Sequence, residues 1–142
     1  MHEATPPSVN TWESAEAAIE AGYTRYFQGL RYKDLAAMMA VMAPDFSLML
    51  LDGQILDFGQ TKALLEEQLH TLVEVEEATF QITDVAVRDD TATVLLRENV
   101  VLLTAGATGQ QERAVAVETY RDTWIATADG WKFQRAELLT AQ

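Results

Sequence analysis

The segment 118–137 constrains the fold of this chain more than any other stretch. Two runs rich in aromatic, β-branched and hydroxyl residues meet there at Asp129-Gly130, a pair that favours a tight β-hairpin turn. Alternate residues of a strand share one face. In the second run one such set is Trp131, Phe133, Arg135 and Glu137. This face changes from aromatic to ionisable side chains, which indicates a pocket rather than a uniform core.

Composition limits the classes of function. The chain has 142 residues, 49% of them hydrophobic, which is enough for the core of one domain. Its formal net charge of -12 argues against nucleic acid and against an anionic membrane surface as partners. There is no cysteine, so disulfides and thiolate chemistry are excluded. With His2 and His70 as the only histidines, we expect no metal site.

The N-terminal region predicts a short tail followed by helices. Residues 1–9 contain Pro6 and Pro7 and lack periodicity, so we expect a flexible tail and a single domain over 10–142. Neither the start of the chain nor any later apolar run is typical of a signal peptide or a membrane span, which predicts a cytoplasmic protein. A capping-box pattern at Asn10 and Glu13 opens a long amphipathic helix.

The rest of the chain predicts an α+β domain. A second helix ends before Pro44, and a short strand then turns at Asp52-Gly53. A third helix begins near Thr61 and ends at the acidic patch 74–77. Four antiparallel strands follow from Phe80 to the C-terminus. We therefore expect about three N-terminal helices packed inside a strongly curved, mostly antiparallel sheet.

This order of elements, together with four local sequences, resembles the NTF2-like superfamily, in particular its SnoaL-like and ketosteroid-isomerase-like (DUF4440-type) branch. The four sequences are AIEAGYTRYF from Ala18, KDL from Lys33, APDF from Ala43 and DGWK from Asp129. The resemblance covers residues 12–139 and implies a cone-shaped fold with a mixed sheet. It implies little about chemistry, because one fold of this kind carries isomerases, dehydratases, cyclases, epoxide hydrolases and non-catalytic modules.

The ketosteroid-isomerase pattern implies candidate residues for an oxyanion hole. In those enzymes a tyrosine and a protonated aspartic acid donate hydrogen bonds, and a separate carboxylate moves the proton. By position, Tyr26 matches the tyrosine and Asp122 the acid. The base position falls on Leu50, which cannot accept a proton, so Asp52 or Glu137 would have to serve. Glu137 lies near the position where many SnoaL-like proteins carry a histidine.

The epoxide-hydrolase branch provides a second comparison. There an arginine bridges two carboxylates, and the corresponding residues here are Arg97, Asn99 and Glu137. Because Asn99 carries an amide in place of one of the two carboxylates, the acid–base pair of that mechanism is incomplete. Tyr120 and Trp124 share the strand phase of Asp122 and would form an apolar wall for a ligand, and Arg135 would help to bind it.

Two interpretations of the ionisable residues remain open from the sequence. Buried Asp122 either pairs with Arg97 or Arg135, or stays protonated because burial raises its pKa. Glu137 and Arg135 either face a cavity or close the cone as an ion pair.

The resulting expectation is a small-molecule-binding SnoaL-like protein without cofactor or metal. One possibility is an isomerase, lyase or cyclase that acts by carboxylate proton transfer on a small apolar or carbonyl-bearing ligand. The alternatives are a non-catalytic ligand-binding or dimerisation module and an epoxide-hydrolase-like hydrolase. The family's habit of pairing through the sheet predicts a homodimer.

Overall fold

The computed structural model describes the backbone of residues 7–142 and the side chains from residue 14 onward. Three helices and six strands make up the fold. In chain order they are α1 (Pro7–Arg31), α2 (Leu35–Ala40), β1 (Met42–Met49), β2 (Ile55–Leu56), α3 (Phe58–Thr71), β3 (Leu72–Arg88), β4 (Thr91–Ala105), β5 (Gln111–Thr127) and β6 (Gly130–Ala141). The expected α+β architecture is confirmed. Within the described residues, no helix is both long and apolar enough to span a bilayer.

The strands form one six-stranded sheet in the order β2-β1-β6-β5-β4-β3. Neighbouring strands are antiparallel except β1 and β6, which are parallel, so the sheet is mixed and mostly antiparallel. Several register shifts interrupt the β3–β4 and β5–β6 pairings. Such bulges bend strands and increase their twist, and they curve the sheet around the helices.

Helix α1 packs its apolar stripe against the inner face of the sheet. Ile19, Tyr23 and Phe27 are four residues apart, share one side of the helix and are at most 3% exposed. Tyr23 meets Trp124 of β5 edge-on, with ring centroids 4.9 Å apart. Trp124 in turn stacks on Phe133 of β6 at 5.0 Å. The centre of the core is therefore aromatic and joins α1 to the C-terminal hairpin.

The predicted hairpin at Asp129-Gly130 is present, but β6 contains a bulge that changes its phase. Trp124 pairs with Phe133 and Thr123 pairs with Arg135, so Gln134 is an extra residue with no pairing partner on β5. Beyond it, Ala136 faces inward while Arg135 and Glu137 face outward. The predicted shared face of Trp131, Phe133, Arg135 and Glu137 is therefore wrong after Phe133, because strict alternation does not survive a bulge.

Several predicted boundaries also differ from the structure. Helix α2 ends at Ala40, and β1 already begins at Met42. Helix α3 begins at Phe58 because Asp57 and Gln60 form a reciprocal capping box. It ends at Thr71, so the acidic patch 74–77 lies on β3 and not at the end of the helix.

At the N-terminus, the described part of α1 runs from Pro7 and so includes residues before the expected start near Asn10. Residues 1–6 of the predicted tail lie outside the described residues, as do the side chains of the predicted Asn10–Glu13 capping box.

Gly22 allows α1 to approach the aromatic core closely. A Cβ atom at this position would lie 2.6 Å from Cη2 and 2.8 Å from Cζ3 of Trp124. Trp124 is completely buried and stacked on Phe133, so its ring cannot move aside without disturbing the core. The absence of a side chain at Gly22 is therefore a packing requirement.

We expect Gly22→Ala to lower the free energy of unfolding by about 2 kcal/mol, because overpacking outweighs the better helix propensity of alanine. Gly59→Ala is the matched control. A Cβ at Gly59, also helical, would meet only Asp57 Oδ1 at 3.6 Å, an ordinary contact. The control should be neutral or stabilise by up to about 1 kcal/mol. Urea denaturation of both variants tests this, and a stabilised Gly22→Ala protein would contradict the described packing.

Candidate functional site

A cavity of about 440 Å³ lies between the helices and the inner face of the sheet. This is within the usual size range of small-molecule sites. Its walls are mainly Leu, Met and Phe side chains from α1, α2, α3 and the strands. The polar residues among those that line it are Tyr23, Tyr26, Thr61, Gln68, Thr71, Glu98, Thr104, Glu118, Tyr120 and Asp122.

Two neighbouring strands, β4 and β5, supply the carboxyl groups of the cavity. On β4 the residues with even numbers point inward, and on β5 the residues opposite them do the same. Glu98 is directly opposite Glu118, and Val94 is directly opposite Asp122. The sheet therefore brings three carboxyl groups into one largely apolar cavity.

Asp122 forms the innermost polar contact of the cavity. It is 1% exposed, and its Oδ2 accepts a hydrogen bond of 2.5 Å from the hydroxyl of Tyr23. Its Oδ1 is also buried and has no hydrogen-bond partner among the described residues. A buried carboxyl oxygen without a partner is costly, and such atoms in a cavity often mark a functional group.

Burial sets the protonation state of Asp122. Loss of solvent raises the pKa of Asp122 to about 8, and the hydrogen bond from Tyr23 opposes this increase only in part. Burial and the neighbouring Asp122 carboxyl in turn raise the pKa of Tyr23 well above its ordinary value. At neutral pH the pair therefore favours a protonated Asp122 next to a neutral Tyr23.

Glu98 and Glu118 form a second polar group in the same cavity. Burial, and then the adjacent carboxyl groups of Glu118 and Asp122, raise the pKa of Glu98 to about 9. Glu118 Oε1 accepts a hydrogen bond of 3.0 Å from the hydroxyl of Tyr120. Burial raises the pKa of Tyr120 above its ordinary value, and Glu98 and Glu118 raise it further.

Tyr26 also lines the cavity, one helical turn after Tyr23. Its ring meets Phe27 at 5.2 Å and Phe133 at 6.5 Å, both nearly perpendicular. Burial, followed by the Glu98 and Asp122 carboxyl groups, raises the pKa of Tyr26 well above its usual range. It is therefore a neutral hydroxyl that faces the same space.

The structure brings some of the predicted site residues together. Tyr26, Tyr120 and Asp122 all line the cavity. Trp124 does not line it, since it lies completely buried in the aromatic core. The tyrosine that bonds Asp122 is Tyr23, not the predicted Tyr26. Both are on one side of α1, so counting from sequence landmarks selected the neighbouring turn.

The other predicted residues lie on the outer face of the sheet. Arg97 and Asn99 have the opposite strand phase to Glu98, and neither lines the cavity. Arg135 and Glu137 point outward because of the β6 bulge, and Glu137 accepts a hydrogen bond of 3.2 Å from Arg121. Asp122 therefore pairs with a tyrosine, and not with Arg97 or Arg135.

The proposed substitute for the base position is also outside the cavity. Leu50 lines the cavity, whereas Asp52 is exposed in the β1–β2 turn. There its Oδ1 accepts a hydrogen bond of 2.9 Å from the backbone N–H of Gln54. Asp52 therefore stabilises the turn and does not face the cavity.

Two acidic residues were not recognised as cavity residues from the sequence. Glu98 shares the phase of Val94, Leu96 and Val100, which are all buried. An acidic residue in the same strand phase as a row of buried apolar residues indicates a cavity residue. The family resemblance instead selected Arg97 and Asn99, which lie on the other face of the strand. Glu118 shares the strand phase of Tyr120 and Asp122, which is a second usable indication.

The ionisable side chains that line the cavity are acids and tyrosines. The described lining includes no lysine, arginine or histidine. Among the described residues, no three His, Cys, Asp or Glu side chains are grouped as metal ligands would be. The acids and tyrosines of the described lining can form hydrogen bonds and transfer protons.

Solved structures with the same fold are numerous. The Kfla4162 protein from Kribbella flavida superposes with a TM-score of 0.77 at 18% identity and covers 92% of this chain and 94% of its own. A protein named "Putative Scytalone Dehydratase" from Novosphingobium aromaticivorans has a TM-score of 0.73 at 18% identity, with 94% and 89% covered. An NTF2-like protein from Cytophaga hutchinsonii has a TM-score of 0.71 at 10% identity, with 88% and 97% covered. At such identities these likenesses show the fold alone.

Sequence comparison gives the family. Among proteins with curated functions, none matches this chain. The family model described as "SnoaL-like domain" matches residues 14–137, which include α1 from its first described side chain, the whole of β4 and β5, and Asp122. The chain therefore belongs to the SnoaL-like domain family and has the NTF2-like fold.

Proposed function

We propose that this protein is a cofactor-independent isomerase or lyase in which Asp122 exchanges a proton with a small ligand in the cavity. One observation carries the proposal. Asp122 is buried in the cavity wall with Oδ2 held by Tyr23 at 2.5 Å, while Oδ1 has no partner among the described residues. A ligand atom is the partner that this oxygen lacks.

The pKa of Asp122 suits this role. General acids and bases are most effective when their pKa is close to the working pH, and the pKa of Asp122 is raised to about 8. The carboxyl group can donate its proton from Oδ1 and later recover one, while Tyr23 keeps Oδ2 in place. Tyr26 provides a neutral hydroxyl that can donate to negative charge developing on a ligand oxygen.

The cavity walls indicate the class of ligand. They are mostly apolar and aromatic, and the raised pKa values of Glu98 and Asp122 favour the protonated forms of these two acids near neutral pH. Without a basic side chain among the described lining residues, a carboxylate or phosphate would have no counter-charge. The ligand is therefore a small, largely apolar molecule, and a carbonyl or hydroxyl oxygen on it would reach Asp122.

Two reaction classes fit a single acid–base carboxyl group. One is removal of a proton next to a carbonyl by the ionised Asp122 carboxylate, followed by its return to the ligand. The other is loss of water, in which protonated Asp122 gives its proton to the departing hydroxyl and the carboxylate so formed takes the proton from the neighbouring carbon, which restores the acid. The name of the Novosphingobium aromaticivorans structure agrees with the second class. This scheme requires no cofactor.

The other expected functions receive less support. An epoxide-hydrolase arrangement would need Arg97, Asn99 and Glu137 around the ligand, and all three lie outside the cavity. A non-catalytic ligand-binding module would use the same cavity without turnover. A homodimer formed through the outer face of the sheet and a cytoplasmic location remain predictions from the sequence.

Deuterium exchange tests the proton transfer without knowledge of the natural substrate. We expect the protein to accelerate exchange of the α-protons of 2-tetralone, a small ring-bearing ketone, in D₂O near pH 7. Asp122→Asn should reduce the rate at least about a hundredfold, the usual scale of general acid–base catalysis. Proton NMR of the ketone provides the measurement.

Asp89→Asn is the matched control for this experiment. Asp89 is an exposed turn residue with φ 55°, a conformation that asparagine also tolerates. The Asp89→Asn variant should exchange the α-protons of 2-tetralone at the same rate as the unchanged protein. Binding of the ketone without exchange would instead support the non-catalytic module.

The pH dependence of stability tests the protonated state of Asp122. Because its pKa is about 8 in the folded protein and close to 3.8 when unfolded, the folded state binds the extra proton between these values. Stability from this group is thus complete at low pH and falls as pH rises through this window, by at most about 1.4 kcal/mol per pH unit. The free energy of unfolding, measured by urea denaturation between pH 5 and 9, should therefore decline less steeply with pH for Asp122→Asn than for the unchanged protein.

Glu98, whose pKa is raised to about 9, also titrates across this range, so the comparison between variants is the informative quantity. Asp89→Asn should retain the original slope. Equal slopes for Asp122→Asn and the unchanged protein would show that Asp122 is ionised in the folded state.

A further inference from the structure

The Glu98–Glu118 pair takes no part in the proton transfer proposed for Asp122. The two side chains are directly opposite each other on β4 and β5, and both face the cavity. Like charges in this cross-strand arrangement repel each other. The pair therefore needs either a shared proton or a positive counter-charge.

The described part of the chain shows no such counter-charge next to the pair. The salt bridges among the described side chains join Arg113 to Glu76 and Arg121 to Glu137, and neither involves the pair. Arg97, although adjacent to Glu98, points to the outer face. The hydroxyl of Tyr120 donates a hydrogen bond of 3.0 Å to Glu118, but a hydroxyl group carries no positive charge.

The surroundings of the pair suit a cation. Aromatic rings of Tyr26, Phe27, Tyr120 and Phe133 line the same cavity. Rings of this kind attract ammonium groups through their electron-rich faces, most strongly where water is excluded. Carboxyl groups next to aromatic walls are complementary to an organic cation and repel an organic anion.

A second feature of the cavity also points to a ligand. Asp122 Oδ1 is buried on a residue that is 1% exposed, and it lacks a partner among the described residues. The cavity thus contains two separate polar places, one for an oxygen at Asp122 and one for a positive group at the pair.

We infer that the ligand carries a basic nitrogen whose ammonium form binds between Glu98 and Glu118. The inference rests on the proposed function only in placing both groups of the ligand in one cavity. The ammonium replaces the proton that the two carboxyl groups would otherwise share. The ligand class is then a small aromatic or alicyclic amine that also carries a carbonyl or hydroxyl group.

Three probes of similar size and different charge test this inference: benzylamine, benzyl alcohol and benzoate. At pH 7 they are positive, neutral and negative. We expect isothermal titration calorimetry to show that benzylamine binds at least about tenfold more tightly than benzyl alcohol, and that benzoate does not bind. Equal affinities for benzylamine and benzyl alcohol would overturn the inference, since a pair that simply shares a proton has no preference for a cation.

Glu98→Gln and Glu118→Gln locate the effect. Each leaves one carboxyl group instead of two to face the ammonium, with little change of shape, and each should abolish the preference for benzylamine while leaving the affinity for benzyl alcohol within about twofold. Using both variants protects the test against one that fails to fold. Glu137→Gln, on the outer face, is the matched control and should retain the preference.

The experiments test the two proposals independently of each other. Asp122→Asn should lose tetralone exchange and keep the preference for benzylamine. If the preference is absent but tetralone exchange depends on Asp122, the amine inference is wrong and the proposed function stands. A preference for benzylamine that survives both glutamine substitutions would also overturn the inference, because the cation would then bind elsewhere.

Discussion

The hydrogen bond between Tyr23 and Asp122 links the core of this protein to its cavity. Tyr23 is part of the aromatic cluster formed with Trp124 and Phe133, and its hydroxyl reaches a carboxyl group that is almost completely buried. Burial of a carboxyl group costs free energy unless it is neutral or well bonded. Here one oxygen is bonded and the raised pKa favours the neutral form. Retaining such a group in an otherwise apolar cavity is understandable if its second oxygen serves a ligand.

The arrangement depends on which side chains the curved sheet turns inward. Strands β4 and β5 keep a regular register, so Glu98, Glu118 and Asp122 all face the helices. In β6 the bulge at Gln134 places Ala136 and Leu138 in the cavity wall and moves Arg135 and Glu137 outside. The same irregularity keeps arginine away from the buried acids. Both proposals depend on the lack of a basic side chain among the described lining residues, and this lack follows partly from one extra residue in β6.

Much of the fold could be predicted from local sequence. The Asp129-Gly130 and Asp52-Gly53 turns, the amphipathic first helix and the order of elements are present in the structure. These features depend on residue types that lie within a few positions of one another in the sequence. The boundaries of α3 required the Asp57–Gln60 capping box, which the sequence contains but which was not recognised.

The site could be predicted only in part. Asp122, Tyr26 and Tyr120 were recognised and do line the cavity. Arg135 and Glu137 were placed on the cavity face by strand alternation, which fails at a bulge that no residue type in β6 indicates. Tyr23 and Tyr26 occupy one side of α1, and only the tertiary approach of β5 decides which of them meets Asp122. Strand register and helix depth are properties of the folded sheet, so local patterns cannot supply them.

The central claim is that Asp122 is a protonated acid near neutral pH, available to a ligand in the cavity. A direct test is the pH titration of its carboxyl carbon by ¹³C NMR, with the resonance assigned from its absence in Asp122→Asn. We expect a midpoint near 8, far above the ordinary value of 3.8. A midpoint at or below about 4, the range of an ordinary aspartate, would show that Asp122 is a buried carboxylate at neutral pH and would contradict the proposed proton transfer.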